Sequence, residues 1–296
     1  MREMVSLQTF LGVTEQDCYA ADMSAPLRVF LPLQAKVERA EQHIFDLREV
    51  RDEWAEAQRG KVTFEDHPHT KDRTYRITDA VPVPDSAALI TGDAIHNLRS
   101  ALDHLAHRLV CIGKGSVGPF PHVYFPIAKT VRAYQAEAGA RIRGMTPQAI
   151  SAINAIEPYG GGAGEVLSQL HALDVIDKHR LLITLGSCNY RHSMAPSLVA
   201  SIKRNFLGTG LEELTPEQDA RAFQMASIES KFPLERGDTL CIVPKAEVSA
   251  HMHFPFDIAF GDPPGVRGWS IVETLVAIKQ RVWQIVRDFS FEGLLE

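Results

Sequence analysis

Apolar residues recur at alternating steps of three and four along several stretches of this chain, a spacing that predicts amphipathic helices. The most regular repeat lies within residues 86–111 and forms one continuous apolar stripe. Its members are Ile95, Leu98, Leu102, Leu105 and Leu109. Comparable stripes predict helices at 32–58, 165–180 and 271–290. Because each stripe needs an apolar surface to cover it, we expect these four helices to pack together.

Local signals indicate where helices begin. Pro32 suits the first turn of the first long helix, where a missing backbone N–H costs least. Thr146-Pro147 combines a capping hydroxyl with a proline at the first helical position and predicts a short helix. Ser270-Ile-Val-Glu273 matches a capping box and predicts the start of the last helix.

Alternating apolar and polar residues predict β-strands in two parts of the chain. Residues 61–66 and 74–79 alternate in this way around a polar turn, which predicts a β-hairpin inserted between two helices. After residue 181 several short segments are rich in β-forming residues, with a brief helix capped by Thr215 between two of them. The segments are 181–185, 223–231, 239–243 and 249–260. Consecutive strands of this kind predict one antiparallel sheet.

The order of the elements predicts an α+β fold. It is expected to be a helical bundle with a β-hairpin insertion and a C-terminal antiparallel sheet, closed by a final amphipathic helix. No repeat, low-complexity tract or linker interrupts the chain, so residues 1–296 are expected to form a single α+β domain. Its parts are an N-terminal arm (1–25), a mainly helical part (26–180), a mainly β part (181–265) and the closing helix (266–296).

Composition narrows the class of protein. The shares of hydrophobic residues, 45%, and charged residues, 23%, are those of a globular chain that buries a full core. A net charge of −6 argues against a broad basic DNA-binding surface. No apolar run is long enough for a membrane span or a signal peptide, so we expect no membrane association. The cysteines form no Cys-x-x-Cys pair and fit free thiols in the cytoplasm.

The polar face of the helix predicted at 86–111 carries the first group of candidate functional side chains. A solvated helix face is usually rich in glutamate and lysine, whereas this one combines imidazoles, short carboxylates and a hydroxyl, with Arg99 at its edge. The residues of this face are Asp93, His96, Ser100, Asp103, His104 and His107.

A second polar line, formed by His171, Asp174 and Lys178, runs along the later helix. An ordinary i,i+4 ion pair explains Asp174 and Lys178 equally well. We expect this line to meet Asn97 and His104 of the first helix across a shared polar pocket. Burying the two polar lines separately would leave more groups without hydrogen-bond partners than burying them together.

Two segments of the chain resemble the signature of a large set of bacterial proteins of unknown function. The segments are Ile95-His-Asn-Leu-Arg-Ser-Ala-Leu-Asp-His-Leu105 and Leu173-Asp-Val-Ile-Asp-Lys-His-Arg-Leu-Leu182. The order of elements is similar as well, from the first long helix to the last. The resemblance implies a shared fold and brings no activity with it.

Arg99-Ser-Ala-Leu-Asp-His104 also resembles the arginine–histidine motif of HEPN domains, which are helical bundles often found as dimeric, metal-independent ribonucleases. The resemblance implies that His104 transfers protons and that Arg99 holds the scissile phosphate, with Ser100 as the polar residue that follows the arginine. Five steps of about 100° separate these two side chains by about 140° on a regular helix. A symmetric homodimer is therefore expected to complete the site.

RNA is accordingly the expected partner, and no cofactor is expected. The two signature segments supply the residues expected to contact substrate, whose cationic members would add local positive charge to an acidic chain. These residues are Asn97, Asp103, Asp174, Lys178, His179 and Arg180. For Lys178 and Arg180 a purely structural role is also open, because cations at a helix C-terminus interact favourably with its dipole.

Two other classes of function remain open on the same residues. The spacings of Asp93 with His96, Asp103 with His107, and His104 with His107 allow chelation from one helix face, and His251-x-His253 would add imidazoles from a strand. A metal-dependent enzyme would require at least three side chains to converge on one metal ion. The candidates are the residues just named together with His171 and Asp174. The other class is a non-catalytic module that binds a small molecule or a protein in the same pocket.

Overall fold

The computed structural model describes residues 26–188, 231–243 and 254–295. The bounds of the elements in these ranges are α1 (Pro26–Arg59), β1 (Val62–Asp66), β2 (Arg73–Ile77), α2 (Asp85–Lys114), α3 (Val131–Arg141), α4 (Pro147–Ile156), α5 (Glu165–Asp177), β3 (Thr184–Cys188), β4 (Thr239–Val243), β5 (Phe256–Phe260) and α6 (Ile271–Phe291). The mixture of helices with small antiparallel sheets and a closing C-terminal helix confirms the α+β fold.

Four helices form the main body, as their apolar stripes predicted. Helix α2 packs against α1, α5 and α6, and α6 also packs against α1 and α5. Leu98, Leu102 and Leu105 on α2 have no solvent exposure, which confirms the expected central position of this helix. The predicted stripe of α6 is buried throughout. These side chains share one core that also takes in residues of α1, α5 and the strands.

Two of the three predicted helix starts are confirmed, and one is wrong. The Thr146 and Ser270 hydroxyls accept hydrogen bonds from the backbone N–H groups of Ala149 and Glu273, respectively. Pro32 does not lie in a first turn, because α1 begins at Pro26 and includes Pro32 in its interior. Pro26 itself takes the first helical position, where a proline is well tolerated.

The described strands after residue 181 form two sheets, so the prediction of one antiparallel sheet is wrong. Strand β4 pairs with β2 and extends the hairpin into a β1-β2-β4 sheet, while β3 pairs with β5, and Cys188 at the end of β3 also forms an antiparallel bridge with Lys231. Tyr75 and Cys241 lie opposite each other in the first sheet, and both are buried. The pairing of β4 thus satisfies the backbone groups along the edge of β2 and places Cys241 beside Tyr75 on a buried face of the sheet.

Some sequence predictions need adjustment or lie outside the described residues. Helix α5 ends at Asp177 rather than at 180, and α3 was not predicted. The helix capped by Thr215 and nearly all of the segment 223–231 fall outside the described ranges. In the part of the chain that the structure describes, no helix is long and apolar enough to cross a membrane.

Helix α2 approaches the turn before α4 so closely that it requires a glycine. A Cβ atom on Gly113 would lie 2.1 Å from the carbonyl oxygen of Gly144 and under 3.0 Å from the backbone of Met145. We expect Gly113→Ala to lower the free energy of unfolding by about 1–3 kcal/mol, because backbone atoms must shift. Gly139→Ala in α3 is the control, since its Cβ meets nothing within 4 Å. Chemical denaturation of both variants tests this, and equal stability of the two would contradict it.

Candidate polar site between helices α2 and α5

Two side chains of α2 bind both polar groups of one peptide segment. Nη2 of Arg99 lies 2.8 Å from Oδ1 of Asp103 and donates to the carbonyl oxygen of Phe125 at 3.0 Å. The backbone N–H of Phe125 donates to the same carboxylate oxygen at 2.9 Å. Arg99 is only 5% exposed. The three residues thus form a closed arrangement of hydrogen bonds that we call the α2 clamp.

The α2 clamp satisfies a buried segment that has little regular structure. Phe125 and Ile127 are buried between helices, and their backbone groups need partners there. Arg141 of α3 adds a bond from Nη1 to the carbonyl oxygen of Ile127 at 3.2 Å, and the N–H of Ala128 donates to Pro158. Arginine suits this task because its fork of donors remains charged when buried.

Helix α5 brings a second buried carboxylate to the clamp. Asp174 is 3% exposed and accepts a hydrogen bond from Nζ of Lys178 at 2.6 Å. Burial raises the pKa of Asp103, with Asp174 adding to the rise and Arg99 opposing it. Burial lowers the pKa of Arg99, while the charges of Asp103 and Asp174 counteract this. Two carboxylates and two cations therefore share one environment between α2 and α5.

His171 completes this group, and it has an unusual feature. Its Nδ1 atom is buried without a hydrogen-bond partner, and so is Nη1 of Arg99. Burial lowers the pKa of His171, and the charges of Arg99, Arg141 and Lys178 lower it further, against the effect of Asp174. We call this group of residues the polar seam: Arg99, Asp103, Arg141, His171, Asp174 and Lys178.

Close approach of the helices at one end of the seam depends on Gly92. A Cβ atom there would lie 2.3 Å from Oδ1 of Asp177, so the carboxylate of α5 rests directly on the backbone of α2. Burial raises the pKa of Asp177, and the charges of Asp174 and Asp93 raise it further. The glycine therefore leaves room for the Asp177 carboxylate between α2 and α5.

Helices α2 and α5 bring polar residues together, but the residues of α2 are other than those expected at the shared pocket. Asp174 interacts electrostatically with Arg99 and Asp103, and Lys178 with Asp103, whereas Asn97 and His104 were the expected partners. Nδ2 of Asn97 instead donates to the carbonyl oxygen of Asp93 in its own helix, at 2.8 Å.

The remaining site candidates lie away from the seam. His104 is exposed, and burial of part of its ring and the charge of Lys36 on α1 lower its pKa. Ser100 lies 3.5 Å from a ring nitrogen of His96 on the same face of the helix. His179 is exposed just after α5, and Arg180 forms an ion pair with Asp262. The angle between successive residues explains the separation: Arg99 and Asp103 are four steps apart and share a face, whereas His104 is five steps away.

Some seam residues were missed as functional candidates. Arg141 comes from a helix that was not predicted, and no spacing links it to the signature segments. His171 belonged to the predicted polar line but was considered only as a metal ligand, although its spacing from Asp174 and Lys178 was a usable signal. In the ranges the structure describes, no three histidine, cysteine, aspartate or glutamate side chains converge as metal ligands. His251 and His253 lie outside those ranges.

Comparison of the chain with models of protein families, with curated proteins and with solved structures found no match. The two resemblances noted in the sequence therefore stay predictions, and the polar seam is interpreted from its own geometry.

Removing the acceptor of the α2 clamp should destabilise the fold. Asp103→Ala leaves the buried guanidinium of Arg99 and the N–H of Phe125 without their shared acceptor, so we expect a loss of about 2–4 kcal/mol in the free energy of unfolding. Asp52→Ala is the matched control, because Asp52 pairs with Arg51 on the exposed side of α1. That change should cost under about 1 kcal/mol. Urea denaturation measures the free energy of unfolding of both variants. Similar losses for Asp103→Ala and Asp52→Ala would contradict the prediction that the clamp stabilises the fold.

Proposed function

We propose that the polar seam binds a small molecule that carries an oxyanion, either a phosphate or a carboxylate group. The observation that carries this proposal is that two buried nitrogens of the seam have no hydrogen-bond partner. They are Nη1 of Arg99, which donates, and Nδ1 of His171, which donates when its tautomer carries the proton on that atom. A buried donor without a partner costs about 1–3 kcal/mol, and native structures usually supply an acceptor. The oxygens of one bound oxyanion would serve both donors.

The electrostatics of the seam support an anionic ligand. Arg99, Arg141 and Lys178 all lower the pKa of His171, so the potential at its ring has a strong positive contribution. Arginine also offers the geometry that carboxylate and phosphate groups recognise, since its guanidinium donors lie in one plane. Nη2 is committed to the α2 clamp, which leaves Nη1 fixed in direction and ready to bind.

Burial supports a small ligand over a polymer as the occupant. Arg99 is 5% exposed, so only a compact group can reach its free nitrogen. Lys178 has a side chain that is 54% exposed and is the member of the seam most open to solvent. Its ammonium group would meet an arriving anion first and then share it with the buried donors.

Titration calorimetry with inorganic phosphate and with acetate, at matched ionic strength, tests this function. We expect one of the two anions to bind the wild type with a Kd in the millimolar range or below. Arg99→Lys keeps a charge but removes the forked donors, and His171→Ala removes the second donor, so each should weaken binding at least about tenfold.

Arg51→Lys on the surface of α1 is the matched control and should bind like the wild type. Circular dichroism and urea midpoints establish that each variant is folded. Absence of binding by either anion in the wild type, or equal binding by all folded variants, would refute the oxyanion site.

A second candidate is RNA binding or HEPN-like RNA cleavage in a cytoplasmic homodimer, as the sequence resemblance implies. Its specific support is the position of Asp103, which pairs with Arg99 and also acts electrostatically on His104. The lowered pKa of His104 keeps its exposed ring neutral near neutral pH, where a neutral imidazole accepts a proton. Because Arg99 and His104 diverge on α2, a second copy would have to supply the missing half of the site.

Cleavage of single-stranded RNA in EDTA tests this candidate, with the mass in solution measured alongside. A nuclease of this kind should be dimeric and should lose at least about a hundredfold in rate in His104→Ala, since acid–base catalysis contributes that much or more. His69→Ala, an exposed histidine in the hairpin turn, should keep full activity. Background cleavage that is equal in the wild type and both variants would rule the nuclease out and leave the oxyanion site as the proposal.

A further inference from the structure

A cavity lies between α3 and α4, apart from the residues of the polar seam. Its volume is about 430 Å³, within the range of small-molecule sites. The lining combines two tyrosine rings, Tyr134 and Tyr159, with the amides of Gln135 and Asn154 and with Gly139. None of these residues belongs to the polar seam. The cavity therefore needs its own explanation.

The tyrosines form a small apolar cluster apart from the main core. Tyr134 packs with Ala128 and Ala138, and Tyr159 covers this group from the loop after α4. The two rings lie 5.3 Å apart between centroids and are tilted by 48°. Ring faces at the wall of an open cavity are surfaces on which a flat ligand ring stacks well.

A buried hydroxyl fixes the direction of the Asn154 amide. The Tyr134 hydroxyl donates to Oδ1 of Asn154 at 2.8 Å. Burial raises the pKa of Tyr134 to about 12, so this hydroxyl keeps its proton and acts as the donor. The amide oxygen is thereby occupied, and Nδ2 of Asn154 remains to donate to a ligand.

Gly139 keeps the cavity open. It lies within α3, where glycine is among the least favourable residues, and a Cβ atom there would meet nothing within 4 Å. The position therefore requires glycine neither for a tight turn nor for close backbone packing. What the absent side chain provides is empty space beside the tyrosines.

We propose that this cavity binds a planar nitrogen heterocycle of the nucleobase class. The ring would stack on the tyrosine wall above Gly139, and a ring nitrogen or carbonyl oxygen would accept a hydrogen bond from Nδ2 of Asn154. Gln135, which is exposed at the rim, adds a second amide that can donate and accept. Two amides with one fixed direction favour a heterocycle that carries acceptors over a plain aromatic ring.

Nucleosides without phosphate test the proposal on the full-length protein independently of the polar seam. Adenosine, guanosine, cytidine and uridine are titrated and followed by saturation-transfer NMR and calorimetry. We expect at least one to bind with a Kd in the millimolar range or tighter. Gly139→Phe should fill the cavity and weaken that binding at least about tenfold, and Asn154→Ala should weaken it at least about threefold.

Ala136→Phe is the matched control, because Ala136 is exposed on the same helix and does not line the cavity. It should bind nucleosides like the wild type. Gly139→Ala and circular dichroism test whether α3 tolerates a side chain at this position, so that loss of binding is not mistaken for unfolding. The proposal is overturned if none of the four nucleosides binds the wild type, or if folded Gly139→Phe binds as well as Ala136→Phe.

Discussion

The α2 clamp is the interaction on which the rest of this structure depends. A guanidinium that is 5% exposed is tolerable only if its charge is compensated, and Asp103 provides the opposite charge while the Phe125 carbonyl accepts a hydrogen bond from Nη2. In return the clamp holds a segment 26 positions further along the chain in the core. The central helix therefore positions an irregular segment by polar contacts, and its other neighbours by apolar ones.

The hydrogen bonds of Arg99 in the α2 clamp also decide which of its nitrogens can bind a ligand. Arg99 uses Nη2 for structure and leaves Nη1 without a partner, and its charge acts on His171 of α5. The candidate site in this region is therefore formed by α2 and α5 together. Gly92 allows the Asp177 carboxylate of α5 to rest on the backbone of α2, because any side chain there would displace that carboxylate.

Charge in this protein is arranged locally, and the net value of −6 hides the arrangement. Within the seam, carboxylates and cations nearly balance, yet His171 experiences three cations against one close carboxylate. The cavity between α3 and α4 is different in kind, since ring faces and oriented amides replace charges there. One chain thus presents two chemically distinct environments, one suited to an oxyanion and one to a flat heterocycle.

The sequence by itself determined the four main helices, the hairpin and two helix caps. Periodicity and capping are local properties, which can be recognised without knowing which element packs against the segment. It also pointed to α2 and α5 as the polar helices. Only the tertiary structure decided that β4 joins the hairpin, that Arg99 is buried, that Phe125 completes the α2 clamp and that Arg141 joins the polar seam. Those features depend on residues distant in the chain. A periodic stripe shows which face of an element is covered but carries no information about which residue covers it.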